Sequence, residues 1–393
     1  MNIKDFKSGT FEQQYQYKSF LPSKVNHEWV WDDAQINVLL ETAIRRLGEL
    51  NAYSLLIPDI DLFIQMHVVK EAHYSSKIEG TKTEMDEAFM SKENISPEKR
   101  DDWQEVQNYI KAMNFGMKRL QKIPLSNRLL REMHELLLKG VRGSHKAPGE
   151  FRASQNWLGG SALSDAVYIP PHHNQVADLM GDLELFLHNF DVNVPHIIRV
   201  ALAHYQFETI HPFLDGNGRI GRLLITFYLI SNDLLRSPCL YLSAFFEKNK
   251  SSYYEALSRV REQNDLGHWL KFFLNAVIET TENGIETFQK ILGLSQKMDT
   301  KILKMGRRAE LGRNFIQYLY KKPVVTASDV TQYLEISPKS ANTLIEEFLK
   351  IGILKEVTGG QRNRVYEFGD YLSLFDKEAK ISLKTKGTKK KLK

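Results

Sequence analysis

The most reactive set of side chains in this sequence lies in twelve consecutive residues, His211-Pro-Phe-Leu-Asp-Gly-Asn-Gly-Arg-Ile-Gly-Arg222. The stretch that follows, LLITFYLIS, is apolar and of helical length, so we expect the Gly216-Asn217-Gly218 turn to open a helix. The first backbone N–H groups of a helix lack partners within it, and the helix dipole is positive at that end, which favours an anion. Two glycines also let the backbone turn tightly and approach a ligand closely. This turn is therefore a predicted phosphate-binding loop.

Charged and ionisable side chains flank the loop on both sides. Arg219 and Arg222 are three residues apart and share one face of the predicted helix, where two guanidinium groups can bind successive phosphates. Asp215 offers a hard oxygen ligand suited to Mg²⁺, which usually binds through one or two carboxylates together with substrate phosphates. His211 has the one side chain here whose ordinary pKa suits proton abstraction near neutral pH. Each residue alone is ordinary, but their joint spacing predicts a nucleotide-phosphate site with its own base.

The same twelve residues match the motif of the Fic family, HxFx[D/E]GNGRxxR, at every defined position, so the chain resembles a member of that family. Fic proteins mostly transfer AMP from ATP to a hydroxyl group of a target protein, a reaction called AMPylation. The resemblance implies that His211 deprotonates the attacking Tyr, Thr or Ser hydroxyl and that Asp215 holds Mg²⁺ between the phosphates. Displacement at phosphorus needs such parts, because its catalysis is largely positioning and charge stabilisation.

The resemblance also implies that residues 216–222 bind the nucleotide. The Gly-Asn-Gly turn would form an anion hole around the α- and β-phosphates, and the two arginines would bind the β- and γ-phosphates of the departing pyrophosphate. Two further residues of the stretch occupy positions that the motif leaves open. The predicted nucleotide-binding residues are thus Gly216, Asn217, Gly218, Arg219, Ile220, Gly221 and Arg222.

A tyrosine pair farther along the chain is a candidate for the adenine pocket. The YYxxL pattern at residues 253–257 resembles family members in which a tyrosine lines that pocket, and an aromatic face suits a purine by stacking. Tyr254 is preferred to Tyr253 for this role, and packing in the core is the alternative.

A second string, upstream, predicts regulation of the site. Residues 60–79 have a helical apolar pattern, and Gly80 is a plausible stop. Within them Ser75-x-x-x-Glu79-Gly80 is similar to the inhibitory motif of the family, [S/T]xxxE[G/N]. The pattern is weak by itself, since a serine and a glutamate near a helix end are common, but it gains weight from the motif downstream. The resemblance implies that the Glu79 carboxylate pairs bidentately with Arg222 and takes the place of the γ-phosphate.

The fold expected is all-α, a Fic helical core with a small β-hairpin flap, followed by a C-terminal winged helix-turn-helix domain. Residues 149–173 hold the hairpin, because Gly159-Gly160 and Pro170-Pro171 bracket a short strand-like segment. This segment resembles the family's flap, which adds a segment of the target as a strand. The predicted divisions are a mostly helical N-terminal region with the inhibitory helix (1–120), the catalytic core (121–285), a helical linker (286–308), the winged helix (309–370) and a basic tail (371–393).

The C-terminal region is predicted from its caps and turns. Thr326 or Ser328 caps a short helix, the sequence PKSANTLIEEFLKIG forms a second helix that ends at Gly352, and strands flank a TGGQRNR wing. Many such modules bind DNA. Residues 309–370, however, carry eight Lys and Arg against eight Asp and Glu, so the basic surface typical of a DNA reader is missing. A protein-contact or dimer-contact role is therefore preferred, and DNA binding stays the alternative.

Composition fits a multi-domain enzyme of a reducing compartment. The 393 residues favour two or three domains, and the single cysteine, Cys239, excludes an intramolecular disulfide. The start of the chain lacks the apolar core of a signal peptide, and no long apolar run predicts a membrane span, so a cytoplasmic location is expected. The net charge of +5 comes from the basic tail, a solubilising extension or else a contact for nucleic acid or an anionic surface.

The predicted reaction is ATP plus a protein hydroxyl giving AMP-protein plus pyrophosphate, with ATP, a target protein and Mg²⁺ as partners. Three alternatives stay open. The same site can remove AMP from a modified target, it can transfer another nucleotide or phosphate group, or the core can serve as a nucleotide sensor for a DNA-binding regulator. A homodimer that buries the helix carrying Glu79 is also expected.

Overall fold

Helices dominate the chain in the computed structural model, which describes residues 1–57, 60–359 and 364–375. The helices are α1 Ala34–Leu56, α2 Ile60–Ile78, α3 Arg100–Leu120, α4 Asn127–Leu137, α5 Val176–His188, α6 His196–Ile210, α7 Asn217–Ser231, α8 Ser243–Lys248, α9 Lys250–Gln263, α10 Leu266–Leu303, α11 Ala309–Lys321, α12 Ala327–Leu334, α13 Pro338–Lys350 and α14 Gly369–Leu372. The strands are β1 Gly9–Gln13, β2 Lys18–Pro22, β3 Val324–Thr326, β4 Lys355–Glu356 and β5 Val365–Glu367.

Two central helices, α6 and α7, form the middle of the core. Nearly every residue of both is buried, so neither shows the apolar-and-polar faces of a surface helix. The long helix α10 packs along α1 on one side and reaches α6 on the other. Trp269 of α10 is fully buried, and its indole N–H donates to the Ala201 carbonyl of α6 at 2.9 Å. The loop between α6 and α7, which holds the motif, is thus mounted on two helices fixed by packing all round.

The first residues form a β-hairpin that the expectation of a mostly helical N-terminal region does not include. Strands β1 and β2 pair antiparallel, with Gly9 opposite Pro22. The hairpin leans on the predicted flap, because the Phe20 N–H donates to the Ile169 carbonyl at 2.9 Å. Its ring lies 6.2 Å from that of Tyr168. The strands of the hairpin are neighbours in the sequence, but the flap residue that Phe20 contacts lies 149 residues farther along the chain, so local sequence patterns do not reveal that contact.

The predicted flap contains less strand than expected. Residues 149–173 hold a single antiparallel bridge, between Leu158 and Tyr168, rather than a regular hairpin. The turn beyond the bridge is closed by Asp165, whose carboxylate accepts the backbone N–H groups of Ser161 and Ala162. Side-chain closure of this kind competes with a strand ladder, which explains why the ladder stops after one pair.

The C-terminal region has the helices and strands that its caps predict. Thr326, not Ser328, caps α12, and Thr326 and Asp329 form a reciprocal capping box. Helix α13 ends at Lys350, and Gly352 follows with a φ of +63°. Strands β3, β5 and β4 lie side by side in that order, all antiparallel. Part of the predicted wing (360–363) and the basic tail from residue 376 onward lie outside the described residues.

Helix α2 is packed on both sides within the chain. It contacts α3 and α8 of the core, and α11 of the C-terminal region packs against its first half. The Phe63 ring lies 4.9 Å from that of Tyr320, and the His67 ring lies 5.1 Å from that of Phe375. The C-terminal region therefore contacts the helix that ends just before Glu79. Within the described parts of the chain, no helix has the length and apolar character that a membrane span requires.

Candidate active site

The motif loop is held in one shape by its own side chains. The Asn217 amide bonds both backbone groups of Phe213, accepting its N–H and donating to its carbonyl, each at 2.8 Å. His134 of α4 stacks on the Phe213 ring at 3.8 Å, and its Nε2 lies 2.9 Å from the Asp215 carbonyl oxygen. Gly216, with a φ of +76°, completes the turn into α7. The loop is therefore fixed before any ligand binds.

His211 ends helix α6 in the left-handed conformation, with φ +51° and ψ +60°. This conformation is uncommon for a residue other than glycine. Burial lowers the pKa of His211 to about 4, while its contact with the Glu208 carbonyl opposes the change only weakly. The imidazole is therefore neutral near pH 7 and can accept a proton.

The start of α7, where the sequence predicts an anion site, is covered by a carboxylate of the same chain. The backbone N–H groups of Asn217, Gly218 and Arg219 come before the first helical bond, which runs from the Ile220 N–H to the Gly216 carbonyl at 3.1 Å. A Cβ on Gly218 would lie 2.4 Å from Oε1 of Glu79. The carboxylate of the predicted inhibitory residue thus sits directly against the glycine of the loop.

Arg222 is bound on three sides by the end of α2. Its Nη2 donates to Oε1 of Glu79 at 2.7 Å and to the Ser75 carbonyl at 2.8 Å, and its Nε donates to the Ser75 hydroxyl at 2.8 Å. The predicted Arg222–Glu79 contact is present, but it uses one carboxylate oxygen instead of two, and Ser75 binds the Nε and Nη2 edge of the guanidinium. Burial by itself raises the pKa of Glu79, but the charge and hydrogen bond of Arg222, together with the charges of Arg219 and His211, bring that pKa below its ordinary value.

Arg219 faces a different partner from Arg222, although the two share a helix. Its Nη1 lies 3.3 Å from Oε2 of Glu105 on α3, and its Nη2 lies 3.4 Å from Oδ1 of Asp215. Glu105 also accepts from Nε of Arg142 at 2.9 Å. Sequence patterns did not identify Glu105, since an acidic residue in an amphipathic helix carries no distinguishing signal. Its contact orients Arg219 beside the loop.

Asp215 fits the requirements of Mg²⁺ bound through a substrate. Its side chain is 41% exposed, and Oδ1 accepts the Gly216 N–H at 2.6 Å. In the described parts of the chain, no cluster of three or more His, Cys, Asp or Glu residues can hold a metal without other ligands. A single accessible carboxylate beside an anion site suits an ion that takes its remaining ligands from water and phosphate oxygens.

Two residues of the predicted nucleotide-binding stretch lie away from the loop surface. Ile220 is fully buried in the apolar core. Gly221 packs against α6, where a Cβ would lie 2.2 Å from Oε1 of Glu208. Burial raises the pKa of Glu208 to about 7. The structure therefore gives Ile220 and Gly221 packing contacts, and it brings a further carboxyl group to the back of the site that sequence patterns missed.

The two tyrosines differ in exposure. Tyr254 is 41% exposed, while Tyr253 is buried and its hydroxyl lies 2.8 Å from Nε2 of His204. The two rings lie 5.2 Å apart. The role of Tyr254 in an adenine pocket stays a prediction.

Comparisons with known proteins agree with this geometry. Residues 38–118 match the Fic/DOC family N-terminal region, and residues 124–229 match the Fic/DOC family. The protein adenylyltransferase Fic of Drosophila erecta is 30% identical over 184 residues, which are 44% of this chain and 33% of that protein. The Drosophila melanogaster protein of the same name is also 30% identical over 184 residues, 44% of this chain and 34% of that protein. The chain thus spans about a third of the length of these relatives.

A crystal structure extends the likeness to most of the chain. The Fic family protein from Desulfovibrio desulfuricans G20 covers 86% of this chain and 96% of its own, with 20% identity and a TM-score of 0.53. At that level of identity, the likeness concerns the fold.

Proposed function

We propose, from the matches of residues 38–118 and 124–229 to the two Fic/DOC family models, that the chain is a protein adenylyltransferase held inactive by Glu79. One observation carries the proposal: a neutral His211 borders a helix N-terminus whose anion site is covered by a carboxylate of the same chain. His211 supplies a base, the N-terminus of α7 supplies a place for phosphate, and the Glu79 carboxylate keeps phosphate out.

The reaction follows from the positions of these groups. A target hydroxyl gives its proton to the His211 imidazole, and its oxygen forms a bond to the α-phosphorus of ATP as the bond to the β-phosphate oxygen breaks. AMP remains on the target and pyrophosphate departs. The N–H groups at the start of α7 and the guanidinium groups of Arg219 and Arg222 stabilise the charge that builds on the phosphates. Asp215 would hold Mg²⁺, which neutralises phosphate charge when bound.

Inhibition is a competition for one guanidinium group. Glu79 occupies Arg222 and lies against Gly218, so a triphosphate must displace the carboxylate to bind there. Ser75 holds Arg222 through its hydroxyl and its carbonyl, which keeps the guanidinium in place for either anion. Tyr254 is proposed to stack on the adenine, and the edge beside Leu158 is proposed to receive the target segment as a strand.

ATP labelled at the α- or the γ-phosphate tests the proposal. The expected result is α-label on protein with Glu79→Gly and none with His211→Ala in the same background. Retained γ-label would instead mean phosphate transfer. Loss of label from a pre-modified protein on adding enzyme, with the same dependence on His211, would mean that removal of AMP dominates.

The C-terminal region is proposed to be a winged helix with a protein-contact role. Its helices α12 and α13 and the antiparallel strands β3, β5 and β4 have the order of such a module. On α13, the side chains of Asn342 and Thr343 bond carbonyls of their own helix at 2.9 Å rather than pointing outward to a base edge. Retardation of duplex DNA by the full chain at low salt, lost in Lys339→Glu, would establish the DNA-binding alternative instead.

A homodimer that buries the helix carrying Glu79 stays a proposal. Within its own chain, helix α2 contacts α3, α8 and α11. A cytoplasmic location is proposed from composition, with Cys239 buried as a free thiol.

A further inference from the structure

A buried arginine outside the motif bonds the turn that carries the base. Arg152 is 2% exposed. Its Nε donates to the His211 carbonyl at 3.0 Å, its Nη2 donates to the carbonyls of Pro171 at 2.5 Å and Ile210 at 3.3 Å, and its Nη1 donates to the Ser154 carbonyl at 3.4 Å. All four acceptors are backbone carbonyls.

Burying the charged Arg152 side chain among carbonyl groups costs desolvation free energy. Among the described residues, no carboxylate forms an ion pair with Arg152, and burial lowers its pKa to about 10. A buried cation without a counter-charge is destabilising unless its hydrogen bonds are well formed. The rigid fork of a guanidinium reaches several carbonyls in fixed directions, which an amide or an ammonium cannot reproduce.

These bonds bracket the left-handed residue. The Arg152 side chain binds the carbonyls of residues 210 and 211, and its own backbone N–H donates to the Pro212 carbonyl at 2.8 Å. Asn156 adds a weaker bond to the His211 carbonyl at 3.3 Å. Among the residues that the structure describes, the imidazole itself has one hydrogen-bond contact, at 3.4 Å to the Glu208 carbonyl. The direction of the ring is therefore set mainly by the backbone turn that Arg152 holds.

Arg152 itself lies in the flap, the segment 149–173, and its remaining two bonds stay within that segment. Ser154 is two residues farther along, and Pro171 lies near the end of the segment. The Arg152 side chain thus joins both ends of the flap to the turn of His211. If the flap shifted when a target segment bound, these bonds would move the backbone turn of His211 and so change the orientation of its ring.

We propose that Arg152 is a positioning residue, which couples the flap to the orientation of His211 and so aligns the base with the target hydroxyl. This inference rests on the proposed function, in which the flap receives the target. Arg152 acts on the hydroxyl side of the site, and the phosphate side is held separately by Asn217 and Arg222.

The test compares Arg152→Gln and Arg152→Lys with a matched control in the Glu79→Gly background. Arg199 is also buried, at 1% exposure, and donates to the carbonyls of Phe186 and, at 2.7 Å, of Val192, but it lies in the first turn of α6, at the opposite end of that helix from His211. Arg199→Gln therefore removes the same chemistry without touching the turn.

The rate of α-label incorporation at saturating ATP is expected to fall at least tenfold in Arg152→Gln and to recover in part in Arg152→Lys. The ATP Kd is expected to stay within twofold of the parent. Arg199→Gln is expected to lower Tm comparably and leave the rate unchanged. Equal rate losses in the two glutamine variants, or a rise in ATP Kd that matches the fall in rate, would overturn the proposal.

A second measurement does not depend on transfer activity. The imidazole ¹⁵N–¹H correlation of His211, assigned by its loss in His211→Ala, is expected to shift or broaden in Arg152→Gln and to stay in place in Arg199→Gln. An unchanged correlation in Arg152→Gln would overturn the proposal even if the parent transfers no AMP. Absence of transfer by the parent, with the expected spectral change, would count against the proposed function and not against the role of Arg152.

Discussion

Removal of the Glu79 carboxylate is expected to strengthen ATP binding by an amount that its contacts set. Glu79 makes one charge-assisted hydrogen bond to Arg222, at 2.7 Å, and its side chain is 33% exposed. Such bonds are worth about 1.5–3 kcal/mol, and the partial exposure favours the lower part of that range. A loss of about 2 kcal/mol of competing interaction corresponds to about a 30-fold lower Kd for ATP.

Two substitutions and a control grade this effect. Glu79→Gly removes the competing group and is expected to give the full change. Glu79→Gln keeps an acceptor oxygen without its charge and is expected to give about half of that free energy, or about a fivefold lower Kd. Glu49→Gln removes the partner of Arg46 from an ion pair at 2.9 Å far from the site, and no change is expected.

Titration calorimetry with ATP and Mg²⁺ measures the affinities, and incorporation of α-label at ATP concentrations below Kd measures the consequence. If ATP binds the wild type and both Glu79 variants equally well, within twofold, the carboxylate does not compete with a phosphate and the reasoning fails. An affinity that rises without a rise in transfer would place the inhibition in a later step.

Three further outcomes are expected. Gly221→Ala puts a methyl group 2.2 Å from a buried carboxyl oxygen of α6, so it should lower the free energy of unfolding in urea by about 1–3 kcal/mol. Gly181→Ala is the control, because Gly181 of α5 has open space around it and the substitution should be neutral or slightly stabilising. Burial lowers the pKa of His204 to about 3 from an ordinary 6.5, so the unfolded chain binds its proton first and stability falls as pH falls from 6.5 toward 3. His204→Gln should therefore reduce that slope by about 1.4 kcal/mol per pH unit, measured by urea unfolding at a series of pH values. Phe63→Ala loosens the contact of α2 with the C-terminal region and should raise α-label incorporation in the wild type but not in Glu79→Gly; a rise in both would mean that the contact acts elsewhere.

Local patterns predicted well wherever the structure depends on neighbours in the chain. The glycine turn opens a helix at Asn217 because an apolar helical stretch follows it, and Thr326 caps α12 because its hydroxyl reaches the N–H three residues ahead. The sequence also predicted the end of α2 just before Glu79, because the apolar pattern stops there and a glycine follows. In the structure Gly80 adopts a φ of +100°.

Contacts between segments far apart in the chain could not be predicted from the sequence. The partner of Arg219 is Glu105, which lies 114 residues earlier, and the His211 carbonyl is bound by Arg152, 59 residues earlier. The sequence analysis did not predict the N-terminal hairpin, and the contacts of Phe20 with Ile169 and Tyr168 of the flap join segments too far apart for a local pattern to show. A buried arginine that bonds carbonyls and a single acidic residue in a helix have no characteristic spacing by which a sequence pattern could identify them.

The amino-acid sequence by itself determined which chemical groups are adjacent: an imidazole, a carboxylate, a glycine turn and two guanidinium groups within one loop and one helical turn, where covalent geometry fixes their spacing. Tertiary structure alone decided the surroundings of each group. Packing of α2 against α7 brings Glu79 to Arg222, burial keeps the His211 imidazole neutral, and Arg152 bonds the turn that carries it. The reason is physical, because burial and long-range hydrogen bonds depend on the whole fold, whereas helix starts and turns depend on a few consecutive residues.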